Sequence, residues 1–98
     1  MTEDDRATVL EALFQTGWRL CDDRDAIMKD FQFKTFIKAF AWMTQVAIWA
    51  EKLHHHPEWR NVYGHVQVVL TTHDQSGLTE LDIRLARKMD QLALDLQR

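Results

Sequence analysis

The chain has 98 residues, of which 46% are hydrophobic and 28% charged, and it carries a formal net charge of −3. These values lie near globular averages, which argues against a disordered or transmembrane class, and the scattered Lys and Arg residues argue against direct nucleic acid binding. A chain this short forms one modest core, so residues 1–98 are interpreted as a single domain.

The sequence carries few targeting or redox signals. Its first five residues lack the basic start and apolar run of a signal peptide. Cys21 is the only cysteine, so no intrachain disulfide can form and a reducing compartment fits best. The longest strongly apolar stretch, Phe36 to Ala50, is shorter than the roughly 20 residues that span a bilayer. We therefore expect a cytoplasmic protein with no membrane partner.

The N-terminal third predicts a helix and then a β-hairpin. Thr2 and Asp5 form a capping-box-like start, apolar residues follow at helical spacing, and Gly17 ends the helix. Residues 18–21 and 26–33 flank a turn and predict two paired strands. The second strand alternates, with one side formed by Ile27, Lys29, Phe31 and Phe33 and the other by Met28, Asp30 and Gln32.

A long central helix is predicted over residues 34–53, which contain no Gly or Pro. Between Phe36 and Leu53 the polar residues form one narrow stripe: Lys38, Thr44, Gln45, Glu51 and Lys52. The remaining surface is more apolar than one sheet can cover, so we expect a homo-oligomer whose subunits meet through Phe36–Leu53. Trp42 and Trp49 are expected on the exposed part. A helix buried wholly within its own domain is the alternative.

A second hairpin is predicted from residues 59–63 and 65–72, with Gly64 at the turn. If the later strand stays regular, Val66 and Val68 face the core and His73 projects from the opposite face, where a ligand can reach it.

The last helix follows a capping box formed by Thr79 and Asp82. The predicted fold is therefore α+β, in the order α-β-β-α-β-β-α, with three helices on one face of a four-stranded antiparallel sheet. The apolar stripe of this last helix comprises Leu78, Leu81, Leu85, Met89, Leu92 and Leu96.

Several ordered motifs carry a family resemblance across nearly the whole chain. The central string is Glu51-Lys52-Leu53-x-His55-His56-Pro57-Glu58-Trp59-x-Asn61-Val62-Tyr63, followed by Leu70-Thr71-Thr72-His73 and Gly77-Leu78-Thr79-x-x-Asp82. Earlier motifs are Gly17-Trp18, Arg24-Asp25-Ala26-Ile27 and Phe36-x-x-Ala39-Phe40-x-x-Met43. With these motifs the chain resembles the pterin-4a-carbinolamine dehydratase family.

The resemblance implies the fold described above and a tetramer with the central helix at the subunit contact. It implies dehydration of 4a-hydroxytetrahydropterin (4a-hydroxytetrahydrobiopterin) to quinonoid dihydropterin plus water. That reaction recycles the pterin cofactor of aromatic amino acid hydroxylases, and it uses no metal or cofactor of its own. Animal members also bind the dimerisation helices of a homeodomain transcription factor, so a helix-binding coactivator, present in the nucleus as well, is the alternative function.

Histidine suits this chemistry. Loss of the 4a-hydroxyl requires a proton delivered to the departing oxygen and a proton removed from the neighbouring ring nitrogen, and histidine exchanges protons near neutral pH. On the resemblance, His55 and His73 are the catalytic acid/base pair, and His56 orients the pterin or assists proton transfer. The predicted substrate-binding residues are Glu51, His55, His56, Pro57, Thr72, His73 and Asp74.

Some of these residues also have a plainer interpretation. A histidine run before a proline is by itself more often an incidental polar loop. Capping explains Asp82, and Glu51 is equally well a solvated carboxylate. His54 stands where animal members carry Asp or Asn and receives no role. Metal binding by this cluster is disfavoured, because adjacent histidines do not readily converge on one ion.

Overall fold

The computed structural model of the chain describes residues 2–75 and 77–97. It contains three helices and four strands in the predicted order. These elements are α1 (Glu3–Gln15), β1 (Arg19–Leu20), β2 (Ile27–Gln32), α2 (Phe36–Leu53), β3 (Glu58–Val62), β4 (His65–Leu70) and α3 (Glu80–Leu96), with a 3-10 turn at His73–Gln75. The α+β class and the predicted order are confirmed.

The four strands form one antiparallel sheet in the order β1-β2-β4-β3. Both predicted hairpins are present, and β2 pairs with β4 at the centre, where Ile27 lies opposite Leu70. Burial alternates along β4, so that Val66, Val68 and Leu70 point toward the helices. The opposite side, which we call the outer face, includes Val69 and the residue paired with it on β3, Glu58.

All three helices contribute to one core against the inner face of the sheet. Trp42 of α2 lies at its centre, with its ring centroid 4.4 Å from that of Phe31, and its Nε1 donates a hydrogen bond to the Met89 carbonyl. The expectation that Trp42 is exposed is therefore wrong, since a large aromatic ring gains more from burial against the sheet. Trp49 is only half-buried, with Lys52 and Lys88 over its ring.

Each helix begins after a threonine that caps it. The side-chain oxygens of Thr2, Thr35 and Thr79 accept hydrogen bonds from backbone N–H groups of the first turn. Thr35 explains why α2 starts at Phe36. The capping box that was predicted from Thr79 and Asp82 is confirmed.

One half of α2 stays uncovered in the single chain. Its exposed apolar side chains are Phe36, Ile37, Phe40 and Ile48. This leaves room for a second contact, and the oligomer through this helix stays a prediction. Within the described residues, no helix is long and apolar enough to cross a membrane.

The end of β4 differs from the prediction. The strand stops at Leu70, because Thr71 Oγ1 donates to the Asp25 carbonyl and the Thr72 N–H donates to the Gly77 carbonyl. The chain then makes its 3-10 turn and returns. A side chain at position 77 would crowd this return, since a Cβ there would lie 2.5 Å from Asp25 Oδ2. His73 consequently opens a turn and does not end a regular strand.

Candidate active site

The C-terminus of α2 turns the chain at His54 and directs His55 inward. His54 adopts the left-handed conformation (φ 51°, ψ 42°), and the N–H groups of His54 and His55 donate to the carbonyls of Glu51 and Ala50. This is the Schellman arrangement, in which the residue after the helix takes positive φ. Asn, Asp and His are the non-glycine residues enriched in that conformation. The histidine at position 54 is thus explained by the left-handed conformation that ends the helix.

His55 is held by a buried carboxylate from α3. Its Nε2 lies 2.5 Å from Asp82 Oδ1, and the two residues are 7% and 0% exposed. Asp82 Oδ2 also accepts hydrogen bonds from Thr72 Oγ1 at 2.8 Å and from the Thr79 N–H at 2.9 Å. Capping alone therefore does not explain Asp82: the same carboxylate joins the helix start to His55.

His56 points elsewhere and pairs with α2. Its Nε2 lies 2.8 Å from Glu51 Oε2, and both side chains are largely exposed. The following Pro57 restricts His56 to extended geometry, which separates its ring from that of His55.

His73 approaches from the other side and pairs with β3. Its Nε2 lies 2.8 Å from Glu58 Oε2, while Glu58 Oε1 accepts a hydrogen bond from Arg24 Nη2 at 2.6 Å. Arg24, and to a smaller extent His73, lowers the pKa of the Glu58 carboxyl below its ordinary value. Neither Glu58 nor Arg24 was among the predicted site residues. Both stand in the motifs that carry the resemblance, but their contact joins segments 34 residues apart.

These side chains surround a cavity of about 290 Å³. It lies between the end of α2, the turn after β4 and the start of α3. Its lining residues are His54, His55, His56, Pro57, Thr72, His73, Asp74 and Leu81. The structure thus brings together six of the seven predicted substrate-binding residues, whereas Glu51 reaches the cavity through His56.

A larger cavity of about 610 Å³ adjoins it and shares Thr72, Asp74 and Leu81. Its other lining residues include Arg6 and Arg84 but no histidine. The smaller cavity, which the histidines line, is therefore the candidate site.

Three of the four histidines that line the cavity, His55, His56 and His73, share one bonding pattern. Each uses Nε2 to contact a different carboxylate: Asp82, Glu51 or Glu58. An ionised carboxylate only accepts hydrogen bonds, so Nε2 carries the proton and Nδ1 of a neutral ring is left to accept one. The pairs differ in exposure, because only the His55 pair is buried. Within residues 2–75 and 77–97, no group of His, Cys, Asp or Glu side chains is arranged to hold a metal ion.

Fold and site define a class: a small α+β domain with a cavity lined by carboxylate-bound histidines. The model of the pterin 4 alpha carbinolamine dehydratase family matches residues 1–92. A protein of Roseobacter denitrificans, provisionally named as a pterin-4-alpha-carbinolamine dehydratase, is 59% identical over 93 residues, which are 95% of each chain. The chain belongs to the pterin-4a-carbinolamine dehydratase family, as its motifs indicated.

One solved structure agrees with this assignment, and a second shares the fold. A transcriptional coactivator/pterin dehydratase from Brucella melitensis superposes with a TM-score of 0.87 at 50% identity, covering 95% of this chain and 97% of its own. A pterin dehydratase-like protein described as a RuBisCO assembly factor in the alpha-carboxysome gives a TM-score of 0.68 at 22% identity, covering 79% of this chain and 89% of its own. The second likeness concerns the fold alone.

Proposed function

We propose that this protein dehydrates 4a-hydroxytetrahydropterin to quinonoid dihydropterin and water by histidine acid/base catalysis. Membership of the family and the names of the relatives support a pterin carbinolamine dehydratase activity. The observation that carries the histidine mechanism is the set of carboxylate-bound imidazoles around one cavity.

The reaction needs two proton transfers and no redox step. A general acid protonates the 4a-oxygen as the C4a–O bond breaks, and the bonding electrons leave with the water. A general base removes the proton from N5, and the N–H electron pair forms the C4a=N5 double bond. Groups that titrate near neutral pH perform both steps efficiently.

His55 is suited to act on one side of the ring. Asp82 accepts its Nε2–H, so Nδ1 is the nitrogen that can take a proton. The Asp82 carboxylate also compensates the positive charge that His55 acquires on accepting that proton, and its burial strengthens this interaction.

His73 is suited to act on the other side. It comes from the turn after β4, whereas His55 follows α2, so the two enter the cavity from different segments. We assign His56, together with Glu51, to orienting the pterin. Backbone and side-chain groups of Pro57, Thr72 and Asp74 complete the wall of the cavity. A volume of about 290 Å³ is near the lower end of ligand pockets and suits a small bicyclic ring.

The test is the decay of synthetic 4a-hydroxytetrahydropterin, followed by absorbance with and without the protein. We expect the wild-type rate to rise in proportion to protein concentration. His55→Ala or His73→Ala should slow catalysis at least about tenfold while circular dichroism stays unchanged.

His65 provides the matched control. It is the remaining histidine outside the run 54–56 and the cavity, and it too bonds a carboxylate, that of Asp30, through Nε2 at 2.8 Å. His65→Ala should leave the rate within about twofold of wild type, as expected for a surface substitution. A wild-type rate equal to that of buffer would refute the proposed function.

A second function is favoured by the uncovered half of α2. Ile37 is 78% exposed and Phe40 55% exposed, which is unusual for neighbouring large apolar side chains. Thr44 lies between them and Ile48 on this surface, but its hydroxyl already donates to the Phe40 carbonyl. The surface therefore suits a helix of a second copy, as in the proposed tetramer, or of another protein.

Light scattering tests this surface. We expect a mass well above the 11.6 kDa chain, most simply that of a tetramer. Ile37→Asp combined with Phe40→Asp should dissociate the assembly, because two charges cannot be buried there without partners. A wild-type monomer at micromolar concentration would contradict the oligomer. Cys21 has no partner for an intrachain disulfide, so we propose the reducing cytoplasm as its compartment.

A further inference from the structure

Glu58 connects the candidate site to a distant loop. It opens β3 with its side chain on the outer face of the sheet, opposite Val69. One carboxylate oxygen contacts His73 and the other accepts from Arg24, which lies in the loop between β1 and β2. Glu58 is therefore bound at both oxygens by groups from two other segments.

His73 depends on this contact for its orientation. Its side chain is 65% exposed, so packing restrains the ring little. The hydrogen bond to Glu58 fixes the ring rotation and places the proton on Nε2, because a carboxylate only accepts. Without that bond, a neutral imidazole exchanges between its two tautomers, and Nδ1 is no longer the sole acceptor.

Arg24 holds Glu58 in the position that this task requires. Its Nη2 donates to Glu58 Oε1 at 2.6 Å, which leaves Oε2 to accept from His73 Nε2, and the guanidinium is the first cause of the lowered pKa of the Glu58 carboxyl. The neighbouring Asp25 anchors the same loop to the site, since its carboxylate accepts from the Leu78 N–H and its carbonyl from Thr71.

We propose that Glu58, held by Arg24, is the positioning residue that sets the orientation and tautomer of His73 for proton transfer. This inference rests on the proposed dehydration. It adds to that reaction a residue pair that acts through His73 and need not touch the pterin.

The chain offers a matched control on the same face of the sheet. Asp30 contacts His65 Nε2 at 2.8 Å and accepts from Arg19 at 2.9 Å, which repeats the Arg–carboxylate–His chemistry outside the cavity. If Glu58 acted only by stabilising the sheet, Asp30→Ala would have the same effect as Glu58→Ala.

The experiment compares steady-state dehydration by the wild type and the Glu58→Ala, Glu58→Gln and Asp30→Ala variants. We expect Glu58→Ala to lower kcat about tenfold with KM changed less than about twofold, as for other residues that orient a catalytic histidine. Glu58→Gln should recover part of the loss, because its amide oxygen can still accept from Nε2. Asp30→Ala should match the wild type.

An activity-independent readout is the tautomer of His73, measured from imidazole nitrogen shifts by NMR above the pH at which the ring titrates. The Nε2–H form should dominate in the wild type and in Asp30→Ala, and it should mix with the other form in Glu58→Ala. An active wild type with kcat of Glu58→Ala equal to that of Asp30→Ala, or with an unchanged His73 tautomer, would overturn this inference alone. An inactive wild type would overturn it together with the proposed function.

Discussion

Two carboxylates of α3 receive similar numbers of hydrogen bonds but differ in what they bind. Asp82 accepts from His55, Thr72 and the Thr79 N–H. Asp90, eight residues later, accepts from the side chains of Lys29, Trp18 and Thr16. The number of hydrogen bonds alone therefore does not distinguish a site residue from a structural one.

The partners make the distinction. Lys29, Trp18 and Thr16 are hydrogen-bond donors to Asp90, which therefore ties the end of α1, the start of β1 and β2 to α3. Asp82 instead binds a histidine that lines a cavity, where a proton can be gained or lost. Asp90 also explains why a lysine lies on the core side of β2, because its carboxylate forms an ion pair with the Lys29 ammonium.

The largest expected effect is on stability, at Asp90. Asp90→Asn leaves the mostly buried Lys29 ammonium without its counter-charge, which should lower the free energy of unfolding by about 3 kcal/mol. Urea denaturation followed by circular dichroism measures this. Under conditions where the variant is folded, its kcat should stay within about twofold of wild type, as expected away from the site. A large loss of kcat in the folded variant would contradict a purely structural role for Asp90.

The matched change at Asp82 should act on catalysis. In Asp82→Asn an amide N–H faces His55 Nε2 and favours the wrong tautomer, so kcat should fall at least about tenfold, equivalent to roughly 1.4 kcal/mol, and no further than in His55→Ala. Steady-state dehydration kinetics measure this. Unchanged kcat in the folded variant would show that Asp82 is only a helix cap.

A smaller effect is expected from the arginine-bound carboxylates on the surface. Arg6, Arg19 and Arg24 lower the pKa of the carboxyls of Asp25, Asp30 and Glu58, respectively, below their ordinary values. The pKa of each of these carboxyls is therefore lower in the folded protein than in the unfolded chain. The stabilisation is therefore complete above about pH 4–5 and is lost as the pH falls through the lowered values.

Urea midpoints at several acidic pH values measure this dependence. Arg24→Gln should make the urea midpoint depend slightly less on pH, since the side chains of Arg24 and Glu58 are partly exposed and their interaction is screened by solvent. A stability that rises on acidification would contradict the sign.

The smallest effect is expected at His54. His54→Gly replaces a side chain in the left-handed conformation by the residue that favours it, and should raise stability by about 0.5 kcal/mol. Thermal denaturation measures the shift, and kcat should change less than about twofold if His54 has no catalytic part. A strong loss of activity would assign it one.

Much of the fold was predictable because its signals are local. The caps at Thr2 and Thr79, the alternation in β2 and the turn at Gly64 depend on neighbouring residues, and they gave the correct order of elements. Errors arose where distant contacts decide the structure. The ring of Trp42 and the early end of β4 depend on packing against Phe31 and on Asp25, which periodicity does not contain.

The candidate site was predicted in the same uneven way. The histidines could be singled out from the resemblance, and the structure places His55, His56 and His73 at one cavity. Their carboxylate partners could not be paired from the sequence: Asp82 was explained as a cap and Glu58 was overlooked, because each bond crosses between separate elements.

The most direct test of proton transfer by His55 under the control of Asp82 is a double-mutant cycle in dehydration kinetics. Four proteins are compared: the wild type, His55→Ala, Asp82→Asn and the double variant. If Asp82 acts through His55, the double variant should be no more than about twofold slower than His55→Ala. If the two losses instead multiply, Asp82 does not act through His55, which contradicts the control of His55 by Asp82.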